Sequence, residues 1–227
     1  MTIPLPRRAA AEAVGTYALV TAGCGALIIN AQTGDLGHLG IALTFGLVIA
    51  VMIASFGHLS GAHFNPAVTV AFALTGHFRW RAVPAYLAGQ FSGALLAALT
   101  LRLLFGASLH HALTRPAAAP LQSFGLEVLL TATLMLVIMA VATDHRAHGT
   151  PAALAIGAAV ALGALWGGPI SGASMNPARS LAPALIAGLG EHQWLYGLAP
   201  LLGASLAAYL YQWLRAASIS ESAGEGK

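Results

Sequence analysis

The chain has 227 residues, of which 58% are hydrophobic and only 7% charged, and its mean hydropathy is +0.78. That balance leaves too little polar surface to clothe a water-soluble domain of this size, and it places the chain in a bilayer. The formal net charge of +3 follows from arginines at the ends of apolar runs, so it does not call for a nucleic-acid or acidic partner.

Apolar runs long enough to cross ~30 Å of hydrocarbon at ~1.5 Å per residue lie at about 9–30, 39–57, 83–105, 122–143, 149–168 and 193–214. They are continuous and rich in Ala, Leu and Gly, without the alternation of a lipid-facing strand, which predicts six spanning helices rather than a barrel. The first run is too long for a cleavable signal and carries Glu12. Its Cys24 is the only cysteine, so it forms no internal disulfide and reads as a small buried apolar residue. After the second run comes SGAHFNPAVT, residues 60–69, and after the fifth SGASMNPARS, residues 171–180.

In each phrase Asn is a good N-cap, because its side-chain oxygen accepts a first-turn N–H, and the following Pro lacks only a donor that would be orphaned there. Asn65-Pro66-Ala67 and Asn176-Pro177-Ala178 therefore start helices. From Pro66 to about Gly76, and from Pro177 to about Gly188, is ~16 Å or half a bilayer, so both are predicted to be re-entrant half-helices. Irregular backbone at membrane depth must be buried or line a wet cavity. Segments 60–64 and 171–175 are thus expected to turn carbonyls toward water, with Gly61, Ala62, His63, Gly172, Ala173 and Ser174 lining a pore.

The phrase is one part of a duplication. Asn65 maps onto Asn176 at an offset of 111, Tyr86 and Gly93 onto Tyr196 and Gly203 at 110, and Glu12 and Thr16 onto Glu127 and Thr131 at 115. Repeat 1 covers about 9–105 and repeat 2 about 122–214, joined by loop 106–121, within one channel domain, 1–227. Three spans per repeat force the second copy into the membrane upside down, so the two motifs meet at the midplane from opposite faces. Arg7, Arg8, Arg79, Arg81, Arg146, Arg215 and Lys227 fall on one side and Arg102 and Arg115 on the other, which predicts both termini cytoplasmic. The short tails, 1–8 and 216–227, are polar, and ESAGEGK is expected to be disordered.

HFNPAVT at 63–69, SMNPARS at 174–180, the paired ExxxT motifs and the six-span duplication together resemble the aquaporin, or major intrinsic protein, family. The resemblance spans nearly the whole chain. It implies a homotetramer with one channel per protomer, and Glu12 and Glu127 as braces of the re-entrant loops. It also implies a selectivity filter of Phe45, Ala164, Ala173 and Arg179. Ala164 falls where water-selective members carry histidine, Gly197 where they carry tryptophan, and Ser180 departs from the Arg-Asp pairing of glycerol facilitators. The wording ISGASMNPARSLAPAL looks like the nodulin-type subgroup, which passes glycerol and uncharged metalloid acids such as arsenous or boric acid. The expected cargo is water plus such solutes, with ions and protons excluded and neither cofactor nor metal required.

Other readings stay open at this stage. A water-selective channel remains if Phe45 and Arg179 close the gap left by the alanines, and so does a secondary transporter, since these also use broken helices. A junctional role without conduction is a third. Arg179 as a salt-bridged structural arginine, and Glu12 or Glu127 as a proton relay, are the bland and sharp alternatives to their family roles. His63 reads as a packed ring whose carbonyl matters more, and His58, His110 and His111 as interfacial. Asp144, His145, Arg146 and His148 form either a solvated turn or a pH-sensitive gate. Gly89 and Gly93, echoed by Gly203 and Ala207, read as close helix contacts, and Pro183 as a kink. Arginine usage suggests a bacterial inner membrane. No nucleophile–base pair or phosphate loop argues for an enzyme.

Overall fold

A computed structural model describes residues 3–144, 146, 151–188 and 190–222. Its helices are α1 (Leu5–Thr33), α2 (Gly37–Ser60), the short α3 (Pro66–Leu74), α4 (Val83–Phe105), α5 (Pro120–Thr143), α6 (Ala152–Ser171), the short α7 (Pro177–Ala187) and α8 (Gln193–Ser222). Among the described residues six helices are long and apolar enough to cross a membrane. Each expected span is present, and several run a few residues further at one or both ends, because a helix does not stop where hydrocarbon gives way to headgroups.

The ends differ most from expectation. Helix α1 begins at Leu5, inside the stretch read as a tail, with Pro4 just before it supplying a preset φ. Helix α8 continues through Ser222, since neither Gly nor Pro interrupts 204–222; the last five residues of the expected disordered tail lie outside the described residues. The expected fifth span starts at Ala152 rather than 149, and 147–150 also lie outside them. The half-helices are 9 and 11 residues long, and the first ends at Leu74 rather than near Gly76.

Packing follows the duplication. Helix α1 lies on α4, α5 on α8, and α2 on α6 where the repeats meet, while α3 and α7 touch end to end in the middle. Without a hydrophobic drive in lipid, helices associate by close packing through small residues. A Cβ at Gly89 or Gly93 of α4 would run into the carbonyl oxygens of Ala9 or Ala13 in α1, and one at Gly203 of α8 into Val128 O of α5. Gly46 of α2 and Gly157 of α6 face one another reciprocally, each 2.5 Å from its partner's carbonyl oxygen at the point where a Cβ would sit. This crossing is also 111 residues apart, like the two asparagines.

The linker between the repeats is structured. Gly106–Ala112 is a 3-10 helix with Leu109 and Ala112 fully buried against α1, α4 and α7. At the other end of the molecule, Asp144 pairs with Arg146 at 2.6 Å and accepts a hydrogen bond from Tyr211. Hydrogen bonds from Arg146 hold the Asp144 carboxyl well below the usual carboxylate range. Asp144 therefore stays ionised near neutral pH; His145 and His148 of the expected gate lie outside the described residues.

Candidate functional site

Each Asn-Pro-Ala phrase opens its half-helix through the Asn side chain. Asn65 is extended (φ −151°, ψ 120°) and its Oδ1 accepts the Ala67 N–H at 2.9 Å. Asn176 matches it (φ −153°, ψ 110°), accepting from the N–H groups of Ala178 at 3.0 Å and Arg179 at 3.3 Å. Pro66 and Pro177 take the first helical positions, and Ala67 and Ala178 are fully buried behind them. With both oxygens engaged, each side-chain amide can only donate. One hydrogen crosses to the other repeat: Asn65 Nδ2 donates to Met175 O at 2.7 Å, and Asn176 Nδ2 to Phe64 O at 2.8 Å. The second hydrogen of each has no protein acceptor among the described residues, and both asparagines line the larger central cavity.

The loops ahead of the asparagines hold a conformation that the residue types alone disfavour. Besides Gly61 and Gly172, the non-glycine residues Ala62, Phe64, Ala173 and Met175 have φ between 41° and 52°. Left-handed backbone at such residues costs ~1–3 kcal/mol each, so something must over-determine it. The two glutamates do. Glu12 accepts from the N–H groups of His63 (3.0 Å) and Phe64 (2.7 Å), from Ser60 Oγ (2.7 Å) and from Gln90 Nε2 (2.8 Å). Glu127 accepts from the N–H groups of Ser174 and Met175, both at 2.8 Å, and from Ser171 Oγ at 2.7 Å. Tyr86 and Tyr196 donate to the carbonyls of Ser60 and Ser171. All these side chains are buried.

The carbonyl accounting is then simple. The first and last carbonyls of each loop, at Ser60 and Phe64 and at Ser171 and Met175, have donors. Those of Gly61, Ala62, His63, Gly172, Ala173 and Ser174 have none among the described residues. A buried carbonyl left unpaired by protein is a site for water or a hydroxylated solute. All six residues line one or other of two cavities.

The larger cavity, about 300 Å³, runs from the midplane toward the end carrying the termini, walled by Ile49, Val68, Phe72, Leu134, Ile138 and Ile156. A second, about 250 Å³, opens at the other end, with His38, His111, Thr114 and Arg115 in its wall. Phe45, Ala164, Ala173 and Arg179 are the residues that line both. Phe45 lies flat against Gly23, where a Cβ would overlap its ring. The Arg179 guanidinium stands 5.1 Å above that ring and donates through Nη1 to Ala112 O at 3.1 Å. It is only 3% exposed, forms no ion pair among the described residues, and its Nε has no partner. The structure therefore provides no salt bridge for a purely structural reading of this arginine. His63 packs among Phe72, Phe78 and Tyr86, with Nδ1 3.0 Å from Thr69 Oγ1.

Sequence reasoning missed Gly23, the Ala112 carbonyl, Thr114 and Gln90. It had found Tyr86 and Tyr196 only as matched positions, and Ser60 and Ser171 only as letters of the repeated phrase. Matching them as pairs of hydrogen-bonding types, one per loop, was the available signal.

The model of the family described as major intrinsic protein matches residues 1–211. Aquaporin NIP1-1 of Oryza sativa subsp. japonica is 50% identical over 216 residues, covering 94% of this chain and 76% of its own. Nodulin-26 of Glycine max is 47% identical over 217 residues, covering 95% and 80%. An X-ray structure of the aquaglyceroporin from Plasmodium falciparum superposes with a TM-score of 0.84 at 24% identity, covering 92% of this chain and 96% of that one, a likeness of fold.

Proposed function

The chain belongs to the major intrinsic protein family and is a channel for water and small neutral solutes; we propose that Asn65 and Asn176 form its central barrier and Phe45, Ala164, Ala173 and Arg179 its filter. The observation that carries the filter assignment is that these four residues are the shared wall of the two cavities. A solute passing from one cavity to the other meets one aromatic face, one guanidinium and two methyl groups.

The barrier works by donors and dipoles. Each half-helix N-terminus contributes roughly +0.5 elementary charge at the midplane, which repels cations where hydration is thinnest. A water there accepts one hydrogen bond from each asparagine amide and must point its own hydrogens outward. The hydrogen-bonded wire then reverses polarity at that water, and a proton cannot hop through it. The free carbonyls of the two loops supply a ladder of acceptors on either side, suited to water and to polyols or hydroxylated metalloid acids. Glu12 and Glu127 have their oxygens engaged by loop donors, which supports bracing over proton relay.

Ala164 and Ala173 put two methyl groups in the filter, and these, with the resemblance of ISGASMNPARSLAPAL to the nodulin-type wording, favour glycerol and undissociated arsenous or boric acid as cargo. The contact of Arg179 with Phe45 favours the second reading, a water-selective pore, because a guanidinium held over the ring takes up part of that width. Stopped-flow light scattering on proteoliposomes separates the two. Wild type is expected to take up glycerol rapidly, and Ala164→His to lower glycerol uptake about tenfold, the scale on which a pocket discriminates by one small group. Negligible glycerol flux in wild type would establish the water-selective pore. Unchanged glycerol flux in Ala164→His would remove residue 164 from the filter.

A homotetramer with one pore per protomer fits the family likeness and the apolar outer faces of α2 and α6, which carry Leu39, Leu43, Leu47, Leu162 and Trp166. The arginine asymmetry supports cytoplasmic termini. The Oryza sativa and Glycine max relatives named above are plant proteins and lend no support to the bacterial membrane suggested by arginine usage.

A further inference from the structure

We propose that Thr114, in the linker between the repeats, is a positioning residue for the Arg179 guanidinium, acting through a one-way chain of hydroxyl groups; the inference rests on Arg179 belonging to the filter. The starting observation is how little holds that guanidinium. Of the five N–H donors of an arginine, one, on Nη1, has a protein acceptor, and that acceptor is the backbone carbonyl of Ala112 in the linker. Its Nε is buried with no partner. The place of the charge in the pore therefore depends on the place of the linker, with the Phe45 ring 5.1 Å away as its other support.

Thr114 helps to tie that linker down, beside the buried Leu109 and Ala112 and the hydrogen bond from the Ala117 N–H to Ile170 O. Its side chain is 1% exposed, and its hydroxyl donates to Ser180 Oγ at 2.8 Å. Ser174 Oγ donates to the Asn176 carbonyl at 2.9 Å, so its single hydrogen is committed. The contact between Ser180 Oγ and Ser174 Oγ must then run from Ser180 to Ser174. The result is one direction of donation, Thr114 to Ser180 to Ser174 to the backbone of Asn176. Two further contacts fix the same residue: Gln193 Nε2 of α8 donates to Thr114 O at 2.9 Å, and the Thr114 side chain packs on Gly172, where a Cβ would lie 3.1 Å from Cγ2. Thr114 thus joins the filter loop, the half-helix bearing Arg179 and the last helix at one point.

Repeat 1 shows that this is not forced by the duplication. There the residue matching Ser180 is Thr69, and its hydroxyl is met by Gln90 Nε2 of α4, which also bonds Glu12. The position matching Gln90 in repeat 2, at the offset of 110, is Pro200, which has no side-chain donor. The linker hydroxyl takes over a duty that a spanning helix performs in the other half.

The test compares Thr114→Val, Thr114→Ser, Ser180→Ala, the Thr114→Val/Ser180→Ala double variant and Arg179→Ala in proteoliposomes, reading the ratio of glycerol to water permeability alongside the amount of folded protein. Released from its anchor, the guanidinium spends time across the opening. Thr114→Val should therefore lower the ratio by about fivefold, the factor that one net hydrogen bond is worth. Ser180→Ala should do the same, the double variant no more than either, and Thr114→Ser should restore the wild-type ratio. A ratio unchanged in both Thr114→Val and Ser180→Ala, or a Thr114→Ser protein no better than Thr114→Val, overturns the proposal. If Arg179→Ala also leaves the ratio unchanged, the filter assignment itself has failed. If only Arg179→Ala changes it, the positioning role alone has failed. Should Thr114→Val not fold, Ser180→Ala decides.

Discussion

At the scale of single residues, function rests on pairing the donors and end carbonyls of the two loops while leaving the carbonyls between them for the solute to meet. Glu127 spends its two oxygens on Ser171, Ser174 and Met175, in the loop where Ala173 and Met175 keep left-handed backbone. Glu127→Gln places an amide where one oxygen accepted an N–H, setting donor against donor, at a cost of ~1–3 kcal/mol. For a chain of this size that lowers Tm by roughly 2–12 °C, which thermal scanning in detergent would detect, and water permeability should fall with it as the loop carbonyls lose their alignment. An unaltered Tm and permeability would show that the loop holds its shape unaided. The capping asparagines, both glutamates and Arg179 were legible in the sequence because each is a conspicuous type in a repeated phrase or at a matched position. The left-handed alanines were not, since nothing about alanine announces positive φ. The conformation is imposed from Glu12 and Glu127, which stand 44 or more residues from the loop groups they bind.

Helices and half-helices show what apolar runs do and do not reveal. Run length marked each span because the bilayer sets that length, but it left the ends uncertain, as at Leu5 and Ser222. Close packing was partly legible: Gly89 and Gly93 stand four apart, the spacing that brings two small residues onto one face, whereas Gly46 and Gly157 have no second glycine three or four residues away. The linker was least legible. Its short 3-10 turn has no apolar period, and its contribution consists of a backbone carbonyl and one threonine hydroxyl. Since the group facing Gly203 is the backbone of Val128 and not a flexible side chain, it cannot step aside. Gly203→Ala should therefore push α8 off α5 and cost ~1–3 kcal/mol, measured as a lower Tm, while Gly25→Ala, whose nearest neighbour would be 3.7 Å away, should change it little. Equal effects at both sites would mean that the α5–α8 contact has slack.

For the molecule as a whole, inverted symmetry predicts that the two mouths differ only where the sequences of the repeats differ. The arginine distribution makes one of those differences directional. Single cysteines replacing Arg81 and Arg115 in a Cys24→Ala background should be labelled by an impermeant maleimide from opposite sides of intact cells, with position 115 reached from outside. Labelling in the reverse order would turn the channel over in the membrane. The symmetry was readable from matched offsets of 110 to 115, but the way the halves join was not. Asn65 closes on Met175 and Asn176 on Phe64, so each motif is completed by the opposite half. This reciprocal stitch bears on ancestry. A gene encoding one half alone would have made a protein with no partner for its asparagine until a second copy inserted the other way up and paired with it. On that account insertion in both orientations precedes fusion, and a single chain leaves the two halves free to differ, as they do at Gln90 and its counterpart Pro200.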